Sequence, residues 1–297
     1  MSIRLEMLQV ARLAPKLLGD SSGLVREFLL RQQTGDGGFA DRSGRSDLYY
    51  TVFGLEGLLA LQAALPAGSV GKFLHGFGSG ERLDFVHLCC LARCWAALVF
   101  AGGPRLSAPW REAMLRQAAG FRSADGGFHP VAGSLNATAY ACFLGFALHQ
   151  DLGAELSDPL DLARCLKRLE TPDGAWGNEP GLRQGSTNAT AAAVTLLRQL
   201  ALPVNPAVGD WLLARRHEQG GFVAAPDAPL PDLLSTATTL HALAGLERSI
   251  EPVRESCLDF VDTLWTNAGA FHGHWGEDML DCEYAYYGLL ALGHLSL

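Results

Sequence analysis

Polar and hydrophobic positions fall into blocks along this chain. Six stretches are apolar almost all round a helix: Asp47–Leu61, Leu83–Phe100, Leu135–His149, Ser186–Leu200, Asp232–Leu246 and Cys282–Leu295. A helix with no polar face is one buried on both sides. Each carries a helix-entry residue near its start: Asp47, Asp84, Asn136, Thr187, Asp232 and Asp281, whose short side chains accept from free first-turn amides. Between them lie helices with clear polar faces, at Val25–Gln33, Trp110–Phe121, Leu160–Leu169, Val208–Arg216 and Val253–Trp265. Residues 1–20 predict an additional amphipathic helix.

A turn motif punctuates these pairs. Asp36-Gly37-Gly38-Phe39 recurs as Asp125-Gly126-Gly127-Phe128, Asp173-Gly174-Ala175-Trp176, Gln219-Gly220-Gly221-Phe222 and, with one residue inserted, Asn267 to Phe271. From Gly37 to Gly126, Gly174, Gly220 and Gly269 the steps are 89, 48, 46 and 49 residues. The first step is double, and Gly76-Phe77-Gly78 fits the gap as a degenerate sixth copy. Glycine supplies the positive φ of the turn, and the aromatic fills the space between helix layers. A unit of this kind cannot bury its own apolar face, so copies stack into an open array or a closed ring. Six copies without a polar capping repeat predict closure: an all-α, α/α toroid of six helical hairpins over residues 1–297. Closure would bring the two ends of the chain together.

Composition narrows the function. Of 297 residues, 48% are hydrophobic and 18% charged, with a net charge of −8. That gives a well-filled core and none of the basic surface of a nucleic-acid binder. Seven cysteines at irregular spacing do not form a disulfide framework, and Cys90 with Cys94 lacks a second pair for a zinc site. The chain start lacks the long apolar run of a signal peptide, and no stretch is long and apolar enough to span a bilayer. The expectation is a soluble, cytoplasmic protein.

Two segments carry a family resemblance. Gly37-Gly38-Phe39 through Asp47-Leu48-Tyr49-Tyr50-Thr51 resembles the segment of protein prenyltransferase β subunits that holds the zinc-binding His. Leu280-Asp281-Cys282-Glu283-Tyr284-Ala285-Tyr286-Tyr287 resembles the segment that supplies that zinc's Asp and Cys. A remoter likeness is to squalene and oxidosqualene cyclases. Residue by residue, Asp281 falls on the Asp ligand, Glu283 on the thiolate position and Tyr50 on the His position. Cys282 lies one residue off register, which on a helix turns a side chain by roughly 100°. The resemblance implies a site at Asp281, Glu283 and Tyr50. Its carboxylates suit a hard cation such as Mg²⁺ better than Zn²⁺, and a site without metal is equally open.

The toroid also implies a ligand. Six inner helices would aim their free N–H groups at one rim, which favours an anion there. Below the rim, Tyr49, Phe53, Trp95, Tyr140, Phe143, Trp176, Tyr284 and Tyr287 are expected to form an aromatic wall. His272 and His274, with Tyr284, are candidates for the head group. An anionic head over an apolar shaft describes an isoprenoid diphosphate, handled by a transferase or lyase. The alternatives are a cyclase-like enzyme that starts by protonation, for which Asp232-Leu233-Leu234-Ser235-Thr236-Ala237 has the frame but not the central acids, and a non-catalytic toroid binding a lipid or protein. The family implies a possible partner subunit built of helical hairpins.

Overall fold

A computed structural model describes residues 1–297. Its helices, in chain order, are α1 (Ile3–Ala11), α2 (Pro15–Leu18), α3 (Ser22–Arg31), α4 (Leu48–Ala60), α5 (Ala67–His75), α6 (Phe85–Phe100), α7 (Ala108–Ala119), α8 (Ala139–Asp151), α9 (Leu160–Leu169), α10 (Thr187–Gln199), α11 (Ala207–Leu213), α12 (Leu233–Gly245), α13 (Glu251–Leu264) and α14 (Cys282–Leu295). The even-numbered helices from α4 to α14 form the inner layer and pack in sequence as α4–α6–α8–α10–α12–α14, and α14 also packs on α4 and shuts the ring; the odd-numbered helices from α3 to α13 lie outside them. The fold is the expected α/α toroid. Its sixth outer helix, α5, was absent from the pattern because its turn is the degenerate copy.

The repeat motif works as a plug between layers. Phe39, Phe128, Phe222, Phe271 and Trp176 are all buried. The backbone N–H of Phe39, Trp176 and Phe222 donates to Thr51, Thr190 and Thr236 of the next inner helix at 2.9, 3.1 and 2.9 Å. Phe39, Phe128 and Phe271 lie against glycines in the middle of α4, α8 and α14. A Cβ added at Gly54, Gly145 or Gly288 would fall 2.3, 2.5 or 2.3 Å from the ring. Helix interiors disfavour glycine by about 1 kcal/mol, so its presence here marks the seat of the plug. Gly76-Phe77-Gly78 provides the turn but no plug: Phe77 packs edge-on against Phe73 of α5 at 5.0 Å.

Every inner helix is capped by its own side chain. Asp47, Asp84, Asp232 and Asp281 accept from first-turn amides of α4, α6, α12 and α14. The caps of α8 and α10 are Thr138 and Ser186, each within two residues of the expected Asn136 and Thr187.

The amphipathic start of the chain, α1, lies across the opposite end of the ring. Ile3 N donates to Gln150 at 2.9 Å, Arg4 pairs with Glu56 at 3.2 Å, and Glu6 accepts from Arg198 and Gln199 at 2.9 and 3.0 Å. These partners sit in or near the last turns of α4, α8 and α10, so α1 forms a floor. All seven cysteines are free and buried. No helix is long and apolar enough to cross a membrane.

Candidate functional site

The ring encloses a cavity of about 410 Å³, within the range of small-molecule sites. It is lined in levels that follow helix turns. Tyr49, Tyr140, Asn188 and Leu234, from the first turns of α4, α8, α10 and α12, stand at the mouth. One turn deeper are Val52, Phe53, Cys89, Cys90, Phe143, Ala191, Thr238 and Tyr287. Glu56, Arg93, Asp151, Thr195, His241 and Tyr286 line the deep end, with Met7 of α1. An aromatic sleeve runs from the mouth to the deep end: Phe53 lies 4.9 Å from Tyr49, 5.8 Å from Tyr286 and 5.4 Å from Tyr287.

Ring closure places the start of α14 beside the start of α4. The Tyr49 hydroxyl donates to Glu283 Oε1 at 2.6 Å. Burial, with Asp281 nearby, lifts the Glu283 carboxyl to about 7, against the opposing pull of Tyr49 and Arg42. Burial also raises the Tyr49 phenol. Asp281 is held differently. Its Oδ2 accepts from Arg42 Nε at 2.9 Å and its Oδ1 from the Tyr284 amide at 2.9 Å. Arg42 also reaches Glu277 at 2.9 Å and lies over the Tyr284 ring. Asp281 is therefore a neutralised cap, and Glu283 is the carboxyl that can carry a proton near neutral pH. Burial lifts the neighbouring Tyr50 phenol to about 12.

The structure redistributes the other candidates. Tyr49, Phe53, Tyr140, Phe143 and Tyr287 line the cavity, whereas Trp95, Trp176 and Tyr284 do not. Trp176 is one of the interlayer plugs, and its indole N–H donates to Leu166 O at 3.0 Å. Trp95 faces outward against His75 of α5 at 5.2 Å. Tyr284 is sandwiched between Arg42 and the backbone at Gly273, where an added Cβ would come within 2.2 Å of its ring. His272 and His274 belong to the loop before α14 and are outside the cavity lining; His274 Nδ1 accepts from the Gly276 amide at 3.1 Å.

Asp281 and Glu283 do not make a metal centre. Asp281 is engaged by Arg42 and a backbone amide, Glu283 by Tyr49, and no group of three or more His, Cys, Asp or Glu side chains is arranged to hold an ion. The family's zinc does not fit these residues. At the helix ends the caps take one first-turn amide each, two at Asp47, and four of the six caps are carboxylates that bring negative charge to the rim. Two cations sit on these caps: Arg42 on Asp281, and His87, lifted to about 9 by its hydrogen bonds to Asp47 and Asp84. Sequence reasoning missed the deep-end charges Glu56, Arg93 and Asp151. A signal was available for two of them: Glu56 and Arg93 are charged residues inside stretches that otherwise read apolar, whereas Asp151 lies past the end of the Leu135–His149 stretch.

Comparisons agree with this architecture. The type II terpene cyclase MstE from Scytonema, in a variant holding its product merosterolic acid A, is similar with a TM-score of 0.62 at 15% identity, over 95% of this chain and 97% of that one. Candida albicans protein geranylgeranyltransferase-I complexed with GGPP gives a TM-score of 0.53 at 14% identity, over 98% of this chain and 82% of that one. An α-1,6-mannanase from a Salegentibacter species gives 0.62 at 11% identity, over 93% and 98%. Likeness at such identities shows the fold alone, and the mannanase makes plain how varied its uses are. No curated protein gives a sequence match. The family model for the prenyltransferase alpha-alpha toroid domain matches residues 13–72, 65–223 and 192–296, so the chain belongs to the prenyltransferase α/α toroid family.

Proposed function

We propose that the protein takes the hydrocarbon chain of an isoprenoid into the central cavity and acts on it through the Glu283–Tyr49 pair. The observation that carries this reading is the cavity itself: an aromatic, largely apolar shaft of about 410 Å³, with a protonatable carboxyl behind its mouth. Aromatic faces suit a polyisoprenoid and stabilise positive charge on it.

Two chemistries follow from two head groups. A transferase or lyase acting on an isoprenoid diphosphate needs cationic donors at the mouth. Arg42 is already shared by Asp281 and Glu277, and His87 by Asp47 and Asp84. That leaves His272 and His274 for a diphosphate. A neutral polyene opened by protonation needs only an acid and an apolar wall, and the arrangement favours it. Once protonated, Glu283 would turn the 2.6 Å hydrogen bond round and donate to the Tyr49 oxygen, passing its proton there as Tyr49 releases its own to an alkene carbon. Glu283 ends as carboxylate, Tyr49 stays neutral, and the new carbocation faces Phe53, Tyr286 and Tyr287. Raising the carboxyl pKa toward working pH is how a buried Glu becomes a general acid.

The test is incubation with geranylgeraniol and with geranylgeranyl diphosphate, followed by product analysis. Cyclised alcohol in the wild type and none in Glu283→Gln supports the protonation reading. Release of diphosphate would place the protein with transferases or lyases instead. Binding without turnover would make it a lipid-binding toroid.

A further inference from the structure

The deep end of the cavity is polar in a way the mouth chemistry does not use. Arg93 lines it from α6, two turns below the mouth. Its side chain keeps 17% of its surface exposed, beside an Asp151 that keeps 4%. The guanidinium spends Nε on Asp151 Oδ2 at 2.6 Å, and no protein acceptor takes its two terminal amino groups. Tyr286, 5% exposed, also lines the floor, and its hydroxyl has no protein partner. Glu56, 2% exposed, accepts from Arg4 through Oε1 while its Oε2 is unpartnered.

Arg4 and Arg93 face Asp151 and Glu56, and burial raises the Glu56 carboxyl against the pull of both arginines. The donors left free at the floor are the terminal amino groups of Arg93 and the hydroxyl of Tyr286, both on the cavity lining. A wholly apolar ligand would strip water from these groups and offer nothing in return, which costs free energy. A planar guanidinium with its terminal edge free fits the two oxygens of a carboxylate.

Building on the isoprenoid reading above, we propose that the floor is a second polar subsite. It takes a carboxylate carried by the hydrocarbon chain, held by the Arg93 guanidinium and the Tyr286 hydroxyl. The ligand class is then an isoprenoid acid that runs the length of the shaft with its acid at the α1 end.

The experiment compares geranylgeraniol with geranylgeranic acid by calorimetry on the wild type, Arg93→Gln, Tyr286→Phe and Arg42→Gln. The wild type should bind the acid at least about tenfold more tightly than the alcohol, one such pair being of the order of a charge-assisted hydrogen bond. Arg93→Gln should abolish the preference, Tyr286→Phe should reduce it several-fold, and Arg42→Gln at the mouth should leave it intact. Should Arg93→Gln fail to fold, Tyr286→Phe decides, since it deletes only a hydroxyl. Equal binding of acid and alcohol overturns the subsite while leaving the isoprenoid reading standing. A preference lost in Arg42→Gln but kept in Tyr286→Phe also overturns it, by placing the acid at the mouth. If neither ligand binds, the isoprenoid reading fails and the floor proposal with it.

Discussion

Replacing Glu283 with Gln should change how stability depends on pH, by an amount the structure sets. The carboxyl rises from 4.5 to about 7 on folding, through burial first and Asp281 second. At 1.36 kcal/mol per unit this is roughly 3 kcal/mol. The folded state binds the proton more tightly than the unfolded chain. The stabilisation is therefore fully present below pH 4.5 and is lost as pH rises through 7. Gln keeps an acceptor for the Tyr49 hydroxyl but cannot ionise. Urea unfolding of both proteins at pH 5, 6, 7 and 8 isolates this group, since every other titration cancels in the difference. Glu283→Gln should gain on the wild type as pH rises, by about 2 to 3 kcal/mol between pH 5 and 8. Parallel stability curves would refute the claim that Glu283 is held protonated near neutrality.

Three other perturbations test the scaffold. Gly145→Ala drives a methyl into the buried Phe128 ring and should cost about 1–3 kcal/mol as overpacking, read as a lower urea midpoint with an unchanged slope. The buried pair His241 and His294, 3.1 Å apart, is held neutral: burial pushes His241 down to about 4, and pushes His294 well below the ordinary imidazole range. Stability should accordingly fall as pH drops from 6.5 toward 4, and a His241→Leu comparison by thermal melts should show a shallower fall. Arg4→Met leaves Glu56 without its hydrogen-bond donor and Asp151 with Arg93 alone. Breaking a buried pair costs about 3–5 kcal/mol, and α1 should become the first site cut in limited proteolysis.

The ring was legible because it is written six times. Apolar helices and glycine–aromatic turns recur at a near-constant step, and the expected Cys282–Leu295 and Leu160–Leu169 match α14 and α9 to the residue. Caps fell within two residues, since Asp, Ser and Thr are common near a helix start and only geometry decides which one accepts. The outer helix α5 escaped notice because Gly76-Phe77-Gly78 lacks the plug that marks the other turns. The aromatic wall was half legible: periodicity reveals that Trp95 and Trp176 are buried but not whether they face the shaft or the gap between layers. The charge at the rim was only partly legible, since the Asp side chains that announce a helix start also set negative charge beside its remaining amides. The floor went unseen because Arg4, Glu56, Arg93 and Asp151 are distant in sequence and meet only when the ring closes over α1.

The most direct test of the central claim is a calorimetric titration of the protein with geranylgeraniol, repeated on a Phe53→Arg variant that places a charge in the middle of the aromatic sleeve. Saturable one-to-one binding by the wild type, lost in a variant that still folds, is the predicted result. No binding by the wild type, or equal binding by both proteins, would contradict the assignment of the cavity as an isoprenoid site.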